Sequence, residues 1–426
     1  MFSLLTLVGL FLLGASASQT PIVGLNGYRG MVLAILVFWM LNGNRVPVKF
    51  VCRSLNSRIF LILAIVWIAW GLAGCVWALD YETALKEVFD LTFNLASVFC
   101  VLFVLRSARE IAFPVLITAG WLVSFLLTAS VAVWELRTGD HLFSSYLAES
   151  PDYRLESIWV MSTFGNPNNY AAYLVLCISF ILMAMSLFKG MVTKSFLFSC
   201  SLLLVGLVVL TGSRGCAVAV VLIVFAVGWR RLKSLKFFFV LAVAALCLTS
   251  FLNGFDNSSY WDLTLFEKMT NIENSVEEGS FKERLGLYGN AVYMAIESYG
   301  AGVGPHQFSE YALRRDMPYI VKIPNPHSFI FEILSQYGVL VLLIFLMWVV
   351  QSVSVLLRNM RGAGSERRKL AFFSLISIGA YLVASFENSS YIPQPVNWLY
   401  LGILLSICNV LESQSYRVCS KGATIH

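Results

Sequence analysis

The stretch RIFLILAIVWIAWGLAGCVWAL, residues 58–79, carries a charge at its first position and none after it. A run of about 20 apolar residues is the length that crosses a hydrocarbon core of about 30 Å. Inside lipid the backbone must satisfy its own polar groups, which leaves helices and closed barrels. This run is continuous rather than alternating, so it reads as a helix.

Comparable runs recur along all 426 residues, of which 58% are hydrophobic and 13% charged, with a mean hydropathy of +0.76. So little charge cannot cover a soluble surface of this size. Twelve spans are expected, at about 2–18, 28–42, 58–79, 85–105, 111–134, 168–188, 195–211, 214–229, 236–254, 327–357, 369–386 and 396–411. The fold class is therefore an all-α polytopic membrane protein of about twelve transmembrane helices. It forms a single membrane domain, 1–426, with external loops 135–167 and 255–326 as a cap, the larger between spans nine and ten. The first run has no basic leader, and Gly14-Ala-Ser-Ala-Ser18 resembles a small-residue cleavage site, so removal of residues 1–18 is the alternative there.

The net charge of +6 would suggest an acidic partner in a soluble chain. Here it reflects basic loops, and no nucleic acid is expected. Arg45, Lys49, Arg53 and Arg58 follow span two; Arg106 and Arg109 follow span four; Lys189 and Lys194 follow span six. Arg230, Arg231, Lys233 and Lys236 follow span eight; Arg358 through Lys369 follow span ten; Arg417 and Lys421 end the chain. All fall on one side, which the positive-inside rule makes cytoplasmic, with both termini there. Most of the nine cysteines, Cys75, Cys100, Cys177, Cys200, Cys216, Cys247 and Cys408, sit in or beside apolar runs without metal-ligand spacing, and read as small apolar residues.

Residues that break this charge pattern carry the functional signal. Arg214 stands in Thr211-Gly-Ser-Arg-Gly215, a tight external turn that opens span eight. A helix N-terminus offers free N–H groups to an anion, and arginine adds a fork that fits phosphate oxygens. The same residue reads equally as a snorkelling arginine at a helix end. Arg284 lies in the larger external loop, where a solvated charge is the simpler reading. His327, in Pro324-Asn-Pro-His-Ser-Phe329, stands where the chain re-enters the membrane; it can accept a proton from a hydroxyl, while a structural role is the simpler reading of a lone interfacial histidine. Asn166-Pro-Asn-Asn169 opens span six, its amides either binding sugar hydroxyls or capping the helix. Glu332 is a carboxylate within span ten, a costly placement that often marks function; Glu87 and Asp90 are weaker cases. Tyr288, Tyr293 and Tyr299 suggest an amphipathic element lying at the interface. Topology brings Arg214, Arg284, His327 and Asn166 to one membrane face, a set suited to a diphosphate donor and a hydroxyl acceptor.

The chain resembles the O-antigen ligase and polymerase superfamily of bacterial envelope glycosyltransferases over roughly 164–345. The matching pieces are Phe164-Gly-Asn-Pro-Asn-Asn-Tyr170, Thr211-Gly-Ser-Arg-Gly215, Arg284, Gly300-Ala-Gly-Val-Gly304, and His327-Ser328 followed at a fixed distance by Gly338. The resemblance implies a multi-pass inner-membrane enzyme that transfers a glycan from undecaprenyl diphosphate at the periplasmic face. The acceptor hydroxyl would belong to lipid A-core in a ligase or to a repeat unit in a polymerase. By the same resemblance Arg214 and Arg284 bind the diphosphate and stabilise it as leaving group, and His327 orients or deprotonates the acceptor in an inverting displacement. Asn166, Asn168, Asn169, Ser213 and Ser328 would contact substrate. No metal and no other cofactor are expected. Arg154, followed by ten residues and then Gly165, resembles the arginine motif of a polymerase loop.

A lipid-glycan flippase is the alternative. Transporters set polar sites on broken helices near mid-membrane, often in inverted repeats, whereas here the polar residues gather at one face and no repeat is visible.

Overall fold

The computed structural model describes residues 2–16, 26–42, 54–106, 113–142, 159–229, 280–314, 316–321, 324–362, 364–386 and 390–422. Among these residues the regular structure is helical throughout. The ninth expected span, Cys247, Arg154 and the first part of the larger loop lie outside them.

Eight helices precede the larger loop: α1 Phe2–Ser16, α2 Gly27–Asn42, α3 Leu55–Gly74, α4 Tyr81–Arg106, α5 Phe113–Thr138, α6 Pro167–Leu187, α7 Met191–Leu210 and α8 Arg214–Trp229. Of the other five described helices, α9 Ser280–Glu297 and α10 Phe308–Ala312 lie within that loop, and α11 Phe329–Gly362, α12 Ser365–Ala384 and α13 Pro395–Gly422 follow it. Seven described helices are long and apolar enough to cross a membrane; α1, α2 and α8 supply shorter apolar stretches. The protein is therefore a multi-pass membrane protein, and the described residues do not confirm the expected total of about twelve spans.

The bundle is apolar outside as well as inside. Ile62, Ile65, Val221, Phe225, Leu343 and Val350 are all exposed, a surface that only lipid tolerates. Helix α6 is central, buried along most of its length. Phe11 of α1 packs edge-on against Trp121 of α5, ring centroids 4.9 Å apart.

Polar side chains tie the helices together at the end that carries the basic clusters. Asn409 of α13 accepts the Ser57 hydroxyl at 2.7 Å and also bonds the Ser54 hydroxyl. Asn56 donates to the Ser352 hydroxyl at 2.8 Å and accepts the indole N–H of Trp348 at 2.9 Å. Lys369 Nζ donates to the Ser186 carbonyl at 2.8 Å, joining the end of α6 to the start of α12. Arg58, Arg106, Lys189, Lys194, Arg358 and Arg361 mark the same end by their positions in α3, α4, α6–α7 and α11. Among the described residues these basic positions share one end of the bundle.

One expected span is built differently. Residues 327–357 read as a single crossing, but α11 breaks at Gly338, whose backbone is non-helical at φ 78°, ψ −177°. A straight helix would hold positions 329 and 345 about 24 Å apart at 1.5 Å per residue. Their rings instead sit with centroids 5.2 Å apart. The limb Phe329–Tyr337 folds back beside the crossing limb that starts at Val339, and Trp67 packs against Phe329, Tyr337 and Phe345 together.

The backbone groups released by this break are satisfied by the glycine loop. Val303 N–H donates to the Ser335 carbonyl at 2.8 Å and Gly304 N–H to the Gln336 carbonyl at 3.1 Å. In return the Gly300 carbonyl accepts the Val339 N–H at 2.9 Å. Buried backbone polar groups are paired almost without exception, and here a second chain segment supplies the pairs. Close approach demands glycine: a Cβ on Gly302 would lie 2.5 Å from the Gln336 oxygen.

The cap has its own small core, with Leu287, Ala291 and Met294 of α9 buried against Val303, Phe308 and Ala312. The expected amphipathic element exists, but its tyrosines do not share one face. Tyr288 turns inward, while Tyr299 is fully exposed.

Candidate active site

The first half of the site is the turn between α7 and α8. Gly212 takes φ +68°, and α8 begins at Arg214, which is exposed. Ser213 is buried, and its hydroxyl has no hydrogen-bond partner among the described residues. The segment leading to α6 packs on this turn: Val160 N–H donates to the Leu210 carbonyl at 3.2 Å, and the Trp159 indole lies against Gly212. That segment is held by the buried Glu135 carboxylate, which accepts Met161 N–H at 3.1 Å and Ser162 N–H at 2.8 Å. His141 Nδ1 lies 3.2 Å from the same carboxylate. Sequence reasoning passed over Glu135, an acid at the outer end of an apolar run.

Asn166 performs the capping role weighed for it. Its side chain accepts Asn168 N–H at 2.9 Å at the start of α6, with Pro167 in the first turn. Asn169 is buried and Asn168 partly so.

The second half is the tip of the α11 hairpin. His327 has φ 45° and Ser328 is buried with its hydroxyl unpaired among the described residues. Positive φ on a residue with a Cβ costs of the order of 1–3 kcal/mol and gathers at functional positions. The Tyr288 hydroxyl donates to the His327 carbonyl at 3.2 Å, and its ring stacks on Phe331 with centroids 4.4 Å apart. Arg284 precedes Tyr288 by four residues on α9, one turn away on the same face. Sequence reasoning marked Tyr288 only as part of an amphipathic element, not as a partner of His327.

The loop before α13 packs on the start of α11. Tyr391 stacks against Phe329 with centroids 4.6 Å apart. Burial pushes its phenol up, and the nearby Tyr381, Tyr400 and Cys216 groups add to this. Cys216 lies in the first turn of α8, two residues after Arg214. Glu332 is the clamp of that loop: it accepts the Ser390 hydroxyl at 2.6 Å and Tyr391 N–H at 2.8 Å. Its position within the span is explained by this structural pairing. Asp90 likewise pairs with Arg29 of α2.

Glu87 has a third kind of role. Its carboxylate accepts the Tyr337 hydroxyl at 2.8 Å and His306 N–H at 3.1 Å, and lies 2.8 Å from His306 Nδ1. The Glu87 contact raises the His306 pKa above the usual histidine value against the opposing effect of burial. This cluster sits at the broken end of the hairpin, away from the tip.

Residues 199–346 match the family model of the O-antigen ligase. The interval contains Ser213, Arg214, Arg284, His327, Ser328 and Gly338, and excludes Asn166, Asn168 and Asn169. The chain is also 24% identical over 372 residues to the teichuronic acid biosynthesis protein TuaE of Bacillus subtilis (strain 168). That alignment covers 84% of this chain and 73% of the relative.

Proposed function

We propose that this membrane protein is a glycosyltransferase of cell-surface polysaccharide synthesis, acting on a glycan carried by undecaprenyl diphosphate. The observation that carries the reading is the pairing of His327 with α9: the Tyr288 hydroxyl donates to the histidine's own carbonyl, and Arg284 stands one helical turn before Tyr288. The O-antigen ligase match and the teichuronic acid biosynthesis relative support the same class of chemistry.

In this reading the acceptor hydroxyl oxygen attacks the anomeric carbon while the bond from that carbon to the diphosphate oxygen breaks. The electron pair leaves on the diphosphate, the configuration inverts, and His327 takes the hydroxyl proton. Negative charge grows on the leaving group, so cations fixed at that point favour the transition state over the ground state. Arg214 and Arg284 are the cations assigned to it, and the N–H groups at the start of α8 add to Arg214. Ser213 and Ser328, whose hydroxyls have no partner among the described residues, donate them to substrate, and Asn168 and Asn169 contact it as well. The site faces the periplasm, opposite the basic end of the bundle.

Reconstitution with an undecaprenyl-diphosphate glycan and two acceptors, lipid A-core and a second repeat unit, tests this. A new glycosidic bond that forms equally with a chelator present supports the assignment, and the product separates ligase from polymerase. A donor left intact with both acceptors sinks it.

One observation favours a second reading. Helix α11 is broken, and broken helices build the binding sites of transporters. Movement of labelled lipid-linked glycan across proteoliposomes with no new glycosidic bond would establish a flippase instead.

A further inference from the structure

Beyond the His327 tip, the cap holds a separate cleft of about 410 Å³, within the range of small-molecule sites. Its floor is the backbone of residues 301–303, and its walls are Trp77, Tyr311, Glu297 and Arg314. The Trp77 ring is held in place by its indole N–H, which donates to the Gly302 carbonyl at 2.9 Å, yet 40% of the residue faces outward. Arg314 lies over the Tyr311 ring, 5.0 Å from its centroid. Two of its five N–H groups go to Asp316, at 3.1 and 2.7 Å, which fixes the fork and leaves three for a ligand.

These groups select a chemical class. An acyl chain would strand Glu297 and Arg314 against hydrocarbon. A phosphate would meet the Glu297 carboxylate beside Arg314, whose charge is already shared with Asp316. A pyranose has an apolar C–H face, which lies on an aromatic ring, and a rim of hydroxyls, which a carboxylate and a guanidinium bond. The position also fits. The cleft floor is the loop that clips the broken end of α11, and the limb from Phe329 to Tyr337 spans about 13 Å at 1.5 Å per residue. A glycan reacting at the hairpin tip has further sugars within that reach.

We propose that this cleft is a saccharide subsite, holding a sugar of the glycan some units from the bond being formed. The proposal rests on the glycosyltransferase reading for its biological meaning, and is tested separately from it. The probe is a set of oligosaccharides of one to four repeats, released by mild acid from the producing strain's lipid-linked glycan and lacking both lipid and diphosphate. Binding is measured to the full chain in nanodiscs. Tyr311→Ala and Arg314→Gln should each weaken binding by about tenfold, with melting temperatures unchanged, and Trp77→Phe, which keeps a ring, should weaken it less than Trp77→Ala. His327→Ala should bind as wild type does. Unchanged affinity in stably folded Tyr311→Ala and Arg314→Gln would overturn the subsite, as would failure of the wild type to bind any length. Loss of binding in the cleft variants alongside full transfer by His327→Ala would keep the subsite and reject the catalytic assignment.

Discussion

Gly338 and Gly300 touch through their backbones: a Cβ built on Gly338 would lie 2.2 Å from the Gly300 carbonyl oxygen. That contact turns an apolar segment into a hairpin and sets the position of His327 at its tip. Gly338→Ala meets both the overlap and a left-handed φ of 78°, so it should destabilise the fold by about 2 kcal/mol or more. The check is a lowered melting temperature in detergent, with loss of a cross-link between cysteines placed at 329 and 345. A variant that melts like wild type and still cross-links would refute the role given to this glycine.

Much of the architecture was legible beforehand, because each apolar run and basic cluster reports a local choice. The hairpin was not. Its two limbs are equally apolar, so residues 327–357 read as one helix, and the fold-back depends on a glycine loop more than thirty positions earlier. Gly300-Ala-Gly-Val-Gly304 and Gly338 stood out as separate motifs, but nothing in their spacing shows that one clips the other. Arg284 was similarly visible as a charge, while the contact of its helix with His327, through the Tyr288 hydroxyl, is tertiary. Glu332 misled in the opposite sense, since its cost of burial is met by Ser390 and Tyr391.

Tyr288→Phe keeps the stack on Phe331 and removes only the hydroxyl that bonds the His327 carbonyl. The histidine loses one support for its strained backbone, so kcat should fall by about tenfold with KM for donor nearly unchanged. A rise in KM at constant kcat would show instead that Tyr288 acts in binding.

Ser213→Ala and Ser328→Ala remove buried hydroxyls that bond nothing among the described residues. Deleting an unsatisfied polar group is neutral or stabilising, so neither melting temperature should drop, while KM for the glycan substrates should rise several-fold. A clear loss of stability with normal kinetics would assign these hydroxyls to structure.

The Glu87–His306 pair gives a pH dependence of stability. A histidine whose folded pKa is raised contributes fully below its unfolded value, near 6.5, and the contribution is lost as pH rises through the folded value. Thermal stability should therefore decline from pH 6 toward alkaline pH in the wild type, and decline less in Glu87→Gln. Asp80, held low chiefly by the Thr83 N–H, stays charged throughout that window and adds no slope. Equal slopes in the two proteins would exclude the pair as the cause.

The central claim is that His327, Arg284 and Arg214 act on one lipid-linked substrate. The most direct measurement is glycan transfer by purified, correctly inserted His327→Ala, Arg284→Ala and Arg214→Ala in proteoliposomes, beside wild type. Each variant should lose at least about a hundredfold in kcat/KM, some 2.7 kcal/mol of transition-state stabilisation, while melting as wild type does. Full activity in all three would contradict the assignment outright.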